Sequence, residues 1–312
     1  MIVELNNIVK RYKNLVALDH FSMNVREGEI YGLLGPNGSG KTTAINCLLS
    51  LLRFDSGDVT IFGEKMHPSN TAVKRRIGLV MQNIGVYDEL TVEENIDYFC
   101  GLYISNKKIR KQYVDDAIQF VELDEFRKFR PGKLSGGLIR RLNLACGIAH
   151  KPDLIVLDEP TVAVDPQSRS RILEGIKQLA KEGRTIIYTT HYMEEVEFLC
   201  DRLTILDRGK EIITGTSDEI KAMSNQGEVV KVEVFDLPAD TQAKIQALPQ
   251  LTNFTYEAGR LVAHFEKGQS HLMELMDIFE KDKINVIHLT VQRPTLNDVF
   301  LEITGKELRD RV

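Results

Sequence analysis

No run of about eighteen apolar residues occurs anywhere in the 312-residue chain, so no segment reads as a membrane-crossing helix. The opening stretch, Met1-Ile2-Val3-Glu4-Leu5-Asn6, has no basic segment followed by an apolar core, so it does not read as a secretory leader. The expectation is a cytoplasmic chain that reaches a membrane only through a partner. Cysteine is scarce: Cys47, Cys100, Cys146 and Cys200 lie too far apart to build a metal knuckle or a C-x-x-C redox pair locally. They read as buried thiols in a reducing compartment. Charge of neither sign dominates, since 40 basic residues against 45 acidic leave a net −5, a balance that does not suggest a nucleic-acid footprint. No nucleic-acid partner is expected.

What is present centres on Gly35-Pro36-Asn37-Gly38-Ser39-Gly40-Lys41-Thr42-Thr43, with the spacing G-x-x-x-x-G-K-[ST] of a phosphate-binding P-loop. It follows the apolar run Ile30-Tyr31-Gly32-Leu33-Leu34 and precedes a helical pattern with Ile45, Leu48, Leu49 and Leu52 on one face. Strand, loop and helix in that order are the setting the motif requires. Glycines let the backbone N–H groups close on phosphate oxygens at a helix N-terminus, Lys41 reaches the β- and γ-phosphates, and the Thr42 hydroxyl ligates Mg²⁺.

Ahead of the loop, residues 2–9 and 21–26 alternate as half-buried strands of an antiparallel flap, and Tyr12 stands on a turn between them. An aromatic ring there can stack on a purine or pack on the sheet edge. After the loop, 55–58 reads as a turn and 59–63 as a strand, and Ile77 to Gln82 as a buried strand that ends in an amide. At the carboxyl end of such a strand an amide can touch Mg²⁺ or an attacking water. From Asn83 to about Pro131 the pattern turns helical, with a capping box at Thr91-Val92-Glu93-Glu94 and apolar Val114, Ala117, Ile118 and Val121 at helical spacing. Leu134-Ser135-Gly136-Gly137-Leu138 then opens another helix, with Ser135 as its cap and two glycines leaving N–H groups open to an anion.

Leu154-Ile155-Val156-Leu157 reads as a central parallel strand and ends in Asp158-Glu159-Pro160. Adjacent side chains at a strand end point in different directions, so Asp158 can hold Mg²⁺ while Glu159 polarises the attacking water. Val162-Ala163-Val164-Asp165-Pro166 turns into a helix, 184–190 is the next buried strand, and His191 stands at its end within reach of a γ-phosphate. A hairpin over 202–214 closes this domain, and 223–227 is small and polar enough for a linker. Beyond it the pattern reads strand 228–235, helix 240–247, strands 251–256 and 260–266, helix 270–281, strand 284–291 and a last helix from Thr295. That order, βαββαβ, predicts a ferredoxin-like α+β unit with no evident catalytic constellation; Leu272, Leu275, Met276 and Phe279 form its core-facing helical stripe.

These motifs in this order resemble the ATP-binding subunit of an ABC transporter over residues 1–220. Tyr12 looks like its adenine-stacking aromatic, 35–43 its Walker A loop, Gln82 its Q-loop, 134–138 its signature, 154–159 its Walker B strand, Asp165 its D-loop and His191 its switch histidine. The tail from Arg293 to Leu301 looks like that of the drug-exporter branch that includes daunorubicin- and linearmycin-resistance ATPases. Leu138 replaces the usual polar residue after the signature glycines, and Ala163-Val164 stand where Gly-Leu is more usual; both bear on the tuning of hydrolysis.

The resemblance implies an α/β P-loop NTPase, with a RecA-like core, antiparallel β flap and helical subdomain at about 83–145. The domains run 1–224 and 225–312, the second α+β and accessory or regulatory. The implied cofactors are ATP and Mg²⁺, the metal held by Thr42, Gln82 and Asp158. Glu159, His191, Gln82 and Lys41 are the implied catalytic groups. A second copy, or a homologous ATPase subunit, binds head to tail and presents Ser135, Gly136, Gly137 and Asp165 to the first copy's ATP. Integral membrane permease subunits, encoded separately, are the implied partners at the cytoplasmic face of the membrane, with export of a drug, antibiotic or lipid-like compound as the work done. The competing expectation is an ATP-gated switch or assembly factor without transport. Such relatives usually carry two nucleotide domains or long coiled coils, and this chain has neither.

Overall fold

Alternating apolar and polar residues open the chain as an antiparallel hairpin, Val3–Tyr12 (β1) and Leu15–Val25 (β2). In the computed structural model residues 1–224 and 226–305 are described. Both strands run longer than strict alternation predicts. The turn is only Lys13-Asn14, with Lys13 at φ 54°, and Tyr12 is the last residue of β1, opposite Leu15. Ser56–Ile61 (β4) and Glu64–Lys65 (β5) complete a four-stranded sheet in the order β2-β1-β4-β5. The stretch 55–58 is therefore not simply a turn, because Ser56 already pairs with Val9.

The second sheet is built from apolar runs. Ile30–Leu34 (β3), Ile77–Val80 (β6), Leu154–Asp158 (β7), Thr185–Thr190 (β8) and Arg202–Asp207 (β9) pair in parallel, and Lys210–Gly215 (β10) adds an antiparallel edge. The order is β10-β9-β3-β8-β7-β6. Alternation along β7 sends Leu154 and Val156 into a core shared with the flap and with Lys41–Leu48 (α1), and Ile155 and Leu157 into a core shared with the remaining helices. A strand covered on both faces has no polar positions, which is why β7 reads as a continuous apolar run. α1 ends at Leu48, so Leu52 lies beyond it, its N–H and that of Leu51 turned back onto the Asn46 carbonyl.

Thr71–Lys74 (α2) is a single capped turn that the sequence pattern does not announce. Val92–Gly101 (α3) starts at the Thr91/Glu94 capping box, Lys107–Phe120 (α4) is capped by Asn106, and Gly136–Ile148 (α5) by Ser135. The expected stripe of Val114, Ala117, Ile118 and Val121 is buried against Leu142, Ala145 and Ile148 of α5. Pro166–Lys181 (α6) is capped by Asp165 and packs through Ile172 and Ile176 onto the sheet. Met193–Leu199 (α7) follows β8, and Ser217–Lys221 (α8) follows β10.

The chain divides into two compact units, Met1–Ser217 and a second that begins at Asp218. The division falls ahead of the polar stretch 223–227 that the sequence offers as a linker, and of a boundary at 224/225. Ser224 is buried, with its hydroxyl donating to Glu302, and a strand begins at Gln226.

The second unit runs Gln226–Val234 (β11), Ala239–Gln246 (α9), Leu251–Glu257 (β12), Arg260–Glu266 (β13), Leu272–Lys281 (α10), Val286–Gln292 (β14) and Leu296–Thr304 (α11). All its strand pairs are antiparallel, in the order β12-β13-β11-β14, which is the ferredoxin-like arrangement. Val230, Val232, Leu261, Ala263 and Phe265 face Ile245, Leu275 and Phe279 of the helices. The helical stripe is narrower than its spacing predicts: Met276 is 39% exposed.

Candidate active site

Between β3 and α1 the chain turns through Gly35 to Gly40. Gly40, the N-cap of α1, holds φ 114°, and an added Cβ would come within 2.7 Å of the Ala17 carbonyl oxygen, so neither the backbone nor the space admits a side chain. No side chain caps the helix. The N–H groups of its first turn, which an α-helix leaves without an intrahelical partner, belong to residues that line the cleft, with the positive end of the helix behind them. Ser39 is buried and its hydroxyl has no partner among the described residues. A helix N-terminus with a buried hydroxyl that has no partner among the described residues is what a phosphate chain fits.

Lys41 is 4% exposed, and its ammonium donates to the carbonyls of Gly35 at 2.8 Å and Pro36 at 3.2 Å. It also lies 3.1 Å from Glu159 Oε1. Thr42 Oγ1 donates to Asp158 Oδ2 at 2.9 Å, and Thr189 Oγ1 to Asp158 Oδ1 at 2.6 Å. Glu159, the next residue, faces the other way: Gln82 Nε2 donates to its Oε2 at 3.1 Å, and His191 Nδ1 is 3.4 Å from Oε1 without hydrogen-bond geometry. The Glu159 backbone sits at φ 49°, uncommon for a non-glycine residue, and its N–H donates to Thr189 Oγ1 at 3.1 Å. Lys41, Gln82, Asp158, Glu159 and His191 thus meet where the sequence pattern puts them, at the carboxyl ends of β3, β7 and β8. Gln82 lies just past β6 rather than within it.

A cleft of about 620 Å³ opens above these groups, lined by Tyr12, Asn37, Gly38, Lys41, Thr42 and Thr43 with Gln82, Glu159 and Arg208. Its size suits a nucleotide. Tyr12 is 45% exposed at one wall, with the Lys10 ammonium 5.1 Å from its ring centroid. Thr42 and Asp158 supply hard oxygen donors, the kind that holds Mg²⁺ together with phosphates. Among the described residues no cluster of three His, Cys, Asp or Glu could hold a metal alone.

Ser135, Gly136, Gly137 and Asp165 do not line this cleft. They form a second centre of their own. Ser135 caps α5, with its Oγ accepting from the Leu138 N–H at 3.3 Å, and Asp165 caps α6, accepting from the Ser168 N–H at 2.9 Å, a bond that holds the Asp165 carboxyl below its usual range. The two caps touch: a Cβ on Gly137 would come 2.3 Å from Ser168 Oγ and 2.9 Å from Asp165 Oδ2.

Sequence reasoning misses several groups at the first centre. Arg140 on α5 donates to the Gln82 carbonyl, and burial lowers its pKa while the Glu159 carboxylate opposes that shift. Asn143 binds the same segment, accepting from the Gly85 N–H at 3.0 Å. Neither has a sequence signal beyond a polar residue on a helix. Arg208 reaches the cleft from the β9–β10 turn.

The linearmycin resistance ATP-binding protein LnrL of Bacillus subtilis is 36% identical over 99% of this chain and 100% of its own. The chain belongs to the ATP-binding subunits of ABC transporters. A family model described as ABC transporter matches residues 18–162, and one described as the C-terminal domain of DrrA1-3-like ATP-binding proteins matches 215–304. The doxorubicin resistance ATP-binding protein DrrA of Mycobacterium tuberculosis is 34% identical over 97% of this chain and 94% of its own. Among solved structures, the ATP-binding cassette MJ0796, a dimer in a post-hydrolysis state with ADP and Pi, superposes with a TM-score of 0.64 at 28% identity. It covers 69% of this chain and 98% of that one. The ABC subunit is an ATPase, binding ATP and hydrolysing it to ADP and phosphate. Among its described residues no helix is long and apolar enough to cross a membrane.

Proposed function

We propose that this subunit powers export of a drug, antibiotic or lipid-like compound through separately encoded membrane subunits, working at the cytoplasmic face of the membrane as a head-to-tail pair of cassettes. The observation that carries it is the separation of the two centres. The P-loop cleft is lined by Lys41, Thr42, Gln82 and Glu159, while a second helix N-terminus, at Ser135-Gly136-Gly137, lines no part of it. Two chains in opposed orientation bring each second centre, with Asp165, onto the other's nucleotide. The resistance proteins for linearmycin and doxorubicin, similar over nearly the whole chain, support the cargo class.

In this reading the N–H groups of the loop and Lys41 bind the phosphates, and Tyr12 stacks on the adenine. Thr42, Gln82 and Asp158 would hold Mg²⁺, which would supply neutralisation of phosphate charge. Glu159, its carboxylate held by Gln82 and its backbone N–H by the Thr189 hydroxyl, accepts a hydrogen bond from the attacking water and draws off its proton. His191 and Lys41 stabilise the charge that develops on the γ-phosphoryl oxygens. The Thr189 hydroxyl joins the two residues, donating to the Asp158 carboxylate and accepting from the Glu159 N–H.

The membrane subunits dock beside Gln82. Ile84 and Tyr87 are 43% and 44% exposed just after it, and the Tyr87 ring meets Tyr98 at 5.0 Å and Phe99 at 5.9 Å. Buried Asn95 holds this segment, donating to the carbonyls of Tyr87, Leu90 and Thr91 and accepting from the Tyr87 N–H. An aromatic patch kept in water by a rigid clamp marks an interaction surface. Affinity purification of the tagged subunit from membranes tests the reading: membrane permease subunits should co-purify, and cells lacking the ATPase should lose efflux. Recovery of the ATPase free of any membrane protein, with efflux unchanged, would favour the switch without transport.

A further inference from the structure

A buried carboxylate on α7 takes no part in the steps above. Glu195 is 2% exposed and accepts hydrogen bonds from three hydroxyls, Thr161 Oγ1 at 2.7 Å, Tyr188 OH at 2.8 Å and Thr190 Oγ1 at 2.7 Å. Neutral donors do not cancel a charge. The cation is Arg169, whose Nε lies 3.5 Å from Glu195 Oε1. Only the carboxylate is buried, the Arg169 side chain being half-buried, and a buried charge is seldom a better source of stability than apolar packing of the same volume, so its presence needs another account.

The identities of the partners supply one. Thr161 belongs to the turn that begins at Glu159, and Thr190 directly precedes His191, so one carboxylate is tied to both arms of the hydrolytic site while itself lining no part of the cleft. Arg169 lies one turn into α6, the helix that Asp165 caps. Its guanidinium also lies 4.5 Å from the Tyr192 ring centroid, and that ring is 4.1 Å from the His191 ring. Arg169 therefore meets the His191 turn twice, through charge and through an aromatic face.

We infer that Glu195 and Arg169 are positioning residues that lock the Glu159 and His191 turns to α6, so that the place of Asp165 at the head of α6 is felt at the hydrolytic site. This presupposes that Glu159 and His191 act as proposed above. With the link intact, a displacement of Asp165 by a second cassette carries α6, Arg169 and the Glu195 carboxylate together, and both arms follow. With it broken, nucleotide still binds, because no phosphate-binding group is touched, but the arms no longer move with α6.

The test compares Glu195→Gln, Arg169→Met and the double variant in the full chain, measuring steady-state Mg-ATP turnover and the affinity for a fluorescent ATP analogue. Glu195→Gln keeps the shape and an oxygen for Tyr188 and Thr190, and loses the charge. Each single variant should lower kcat by about tenfold or more while KM and nucleotide affinity stay within about twofold, and the double variant should be no worse than either, since the residues share one link. A parental kcat in either single variant, a raised KM with kcat unchanged, or losses that multiply in the double variant would each overturn the inference. Should Glu195→Gln fail to fold, Arg169→Met decides alone, because its side chain is 34% exposed and its loss leaves the hydroxyl cage in place. A Glu159→Gln control separates the two readings: inactive Glu159→Gln beside fully active Arg169→Met sinks the positioning role only, whereas active Glu159→Gln removes the hydrolytic assignment and this inference with it.

Discussion

His150 gives the chain a built-in acid sensitivity whose size can be worked out. The ring, 8% exposed two residues past α5, stacks on Tyr103 with centroids 3.8 Å apart, and its Nε2 meets the Ile77 carbonyl at 3.2 Å. Burial disfavours the charged form and pulls the pKa from 6.5 down to about 4, against the opposing bond from the Ile77 carbonyl. The unfolded chain therefore takes up a proton at a pH where the folded chain does not. Above the unfolded value both are neutral and nothing is lost; as pH falls from 6.5 towards 4 the native state is progressively disfavoured. Linkage puts the loss at about 2 kcal/mol by about pH 5 and about 3 kcal/mol at about pH 4, at order of magnitude. His150→Gln keeps a donor for the carbonyl and cannot titrate. Calorimetry of parent and variant at about pH 7 and about pH 5 should show the parent's Tm falling by roughly 4–8 °C more than the variant's for a unit of this size. Equal falls in the two proteins would refute the account of the buried ring.

Three further outcomes test the site and its partner surface. Glu159→Gln should abolish steady-state hydrolysis while keeping ATP affinity, and Mg-ATP should then hold a dimer on size exclusion, since an amide keeps the shape but cannot draw a proton from water. Turnover at the parental rate would remove Glu159 from the chemistry. Lys41→Ala should weaken ATP binding at least tenfold in titrations, because it removes the side-chain cation of the loop and leaves the buried Glu159 without its ammonium 3.1 Å away. Unchanged affinity and turnover would sink the phosphate assignment. Tyr87→Asp should leave a folded, ATP-binding subunit, since Asn95 holds the segment by its backbone, but should cut co-purification with membrane subunits, a charge desolvated in a groove costing several kcal/mol at order of magnitude. Unfolding would mean that Tyr87 is part of the core, and parental recovery would put the docking surface elsewhere.

The legible parts were those where one residue type is forced. The loop needs glycines and a Lys-Thr pair, and a strand covered on both faces is largely apolar, so β3, β7 and the centre of β8 at 186–188, with the residues at their ends, stand out. Where several residues serve equally, the pattern fades. The flap strands run past their alternating segments because irregular pairing between Leu5 and Arg11 shifts the register, hiding β1 from a period of two. α2 is one turn long and α7 barely two, too short for a clear periodicity, so the sequence pattern announces neither. Glu195 is the sharpest case: a glutamate in a charged helix reads as solvated, and only the fold brings three hydroxyls and Arg169 around it. The cargo is of another kind, for no residue of this chain need touch it.

The end of β8 sets a limit on how the chain can change in length. Thr189 serves Asp158 and the Glu159 N–H, and Thr190, its neighbour, serves Glu195 and the Tyr192 N–H. Successive residues of a strand face opposite sides, so these two identical side chains do unlike jobs only by virtue of parity. Either can be exchanged for serine and still donate a hydroxyl, but losing or gaining a single residue within β8 swaps their sides and turns His191 away from Glu159. Point changes are tolerable there and insertions or deletions are not, so across related chains this strand should vary in composition while keeping its length.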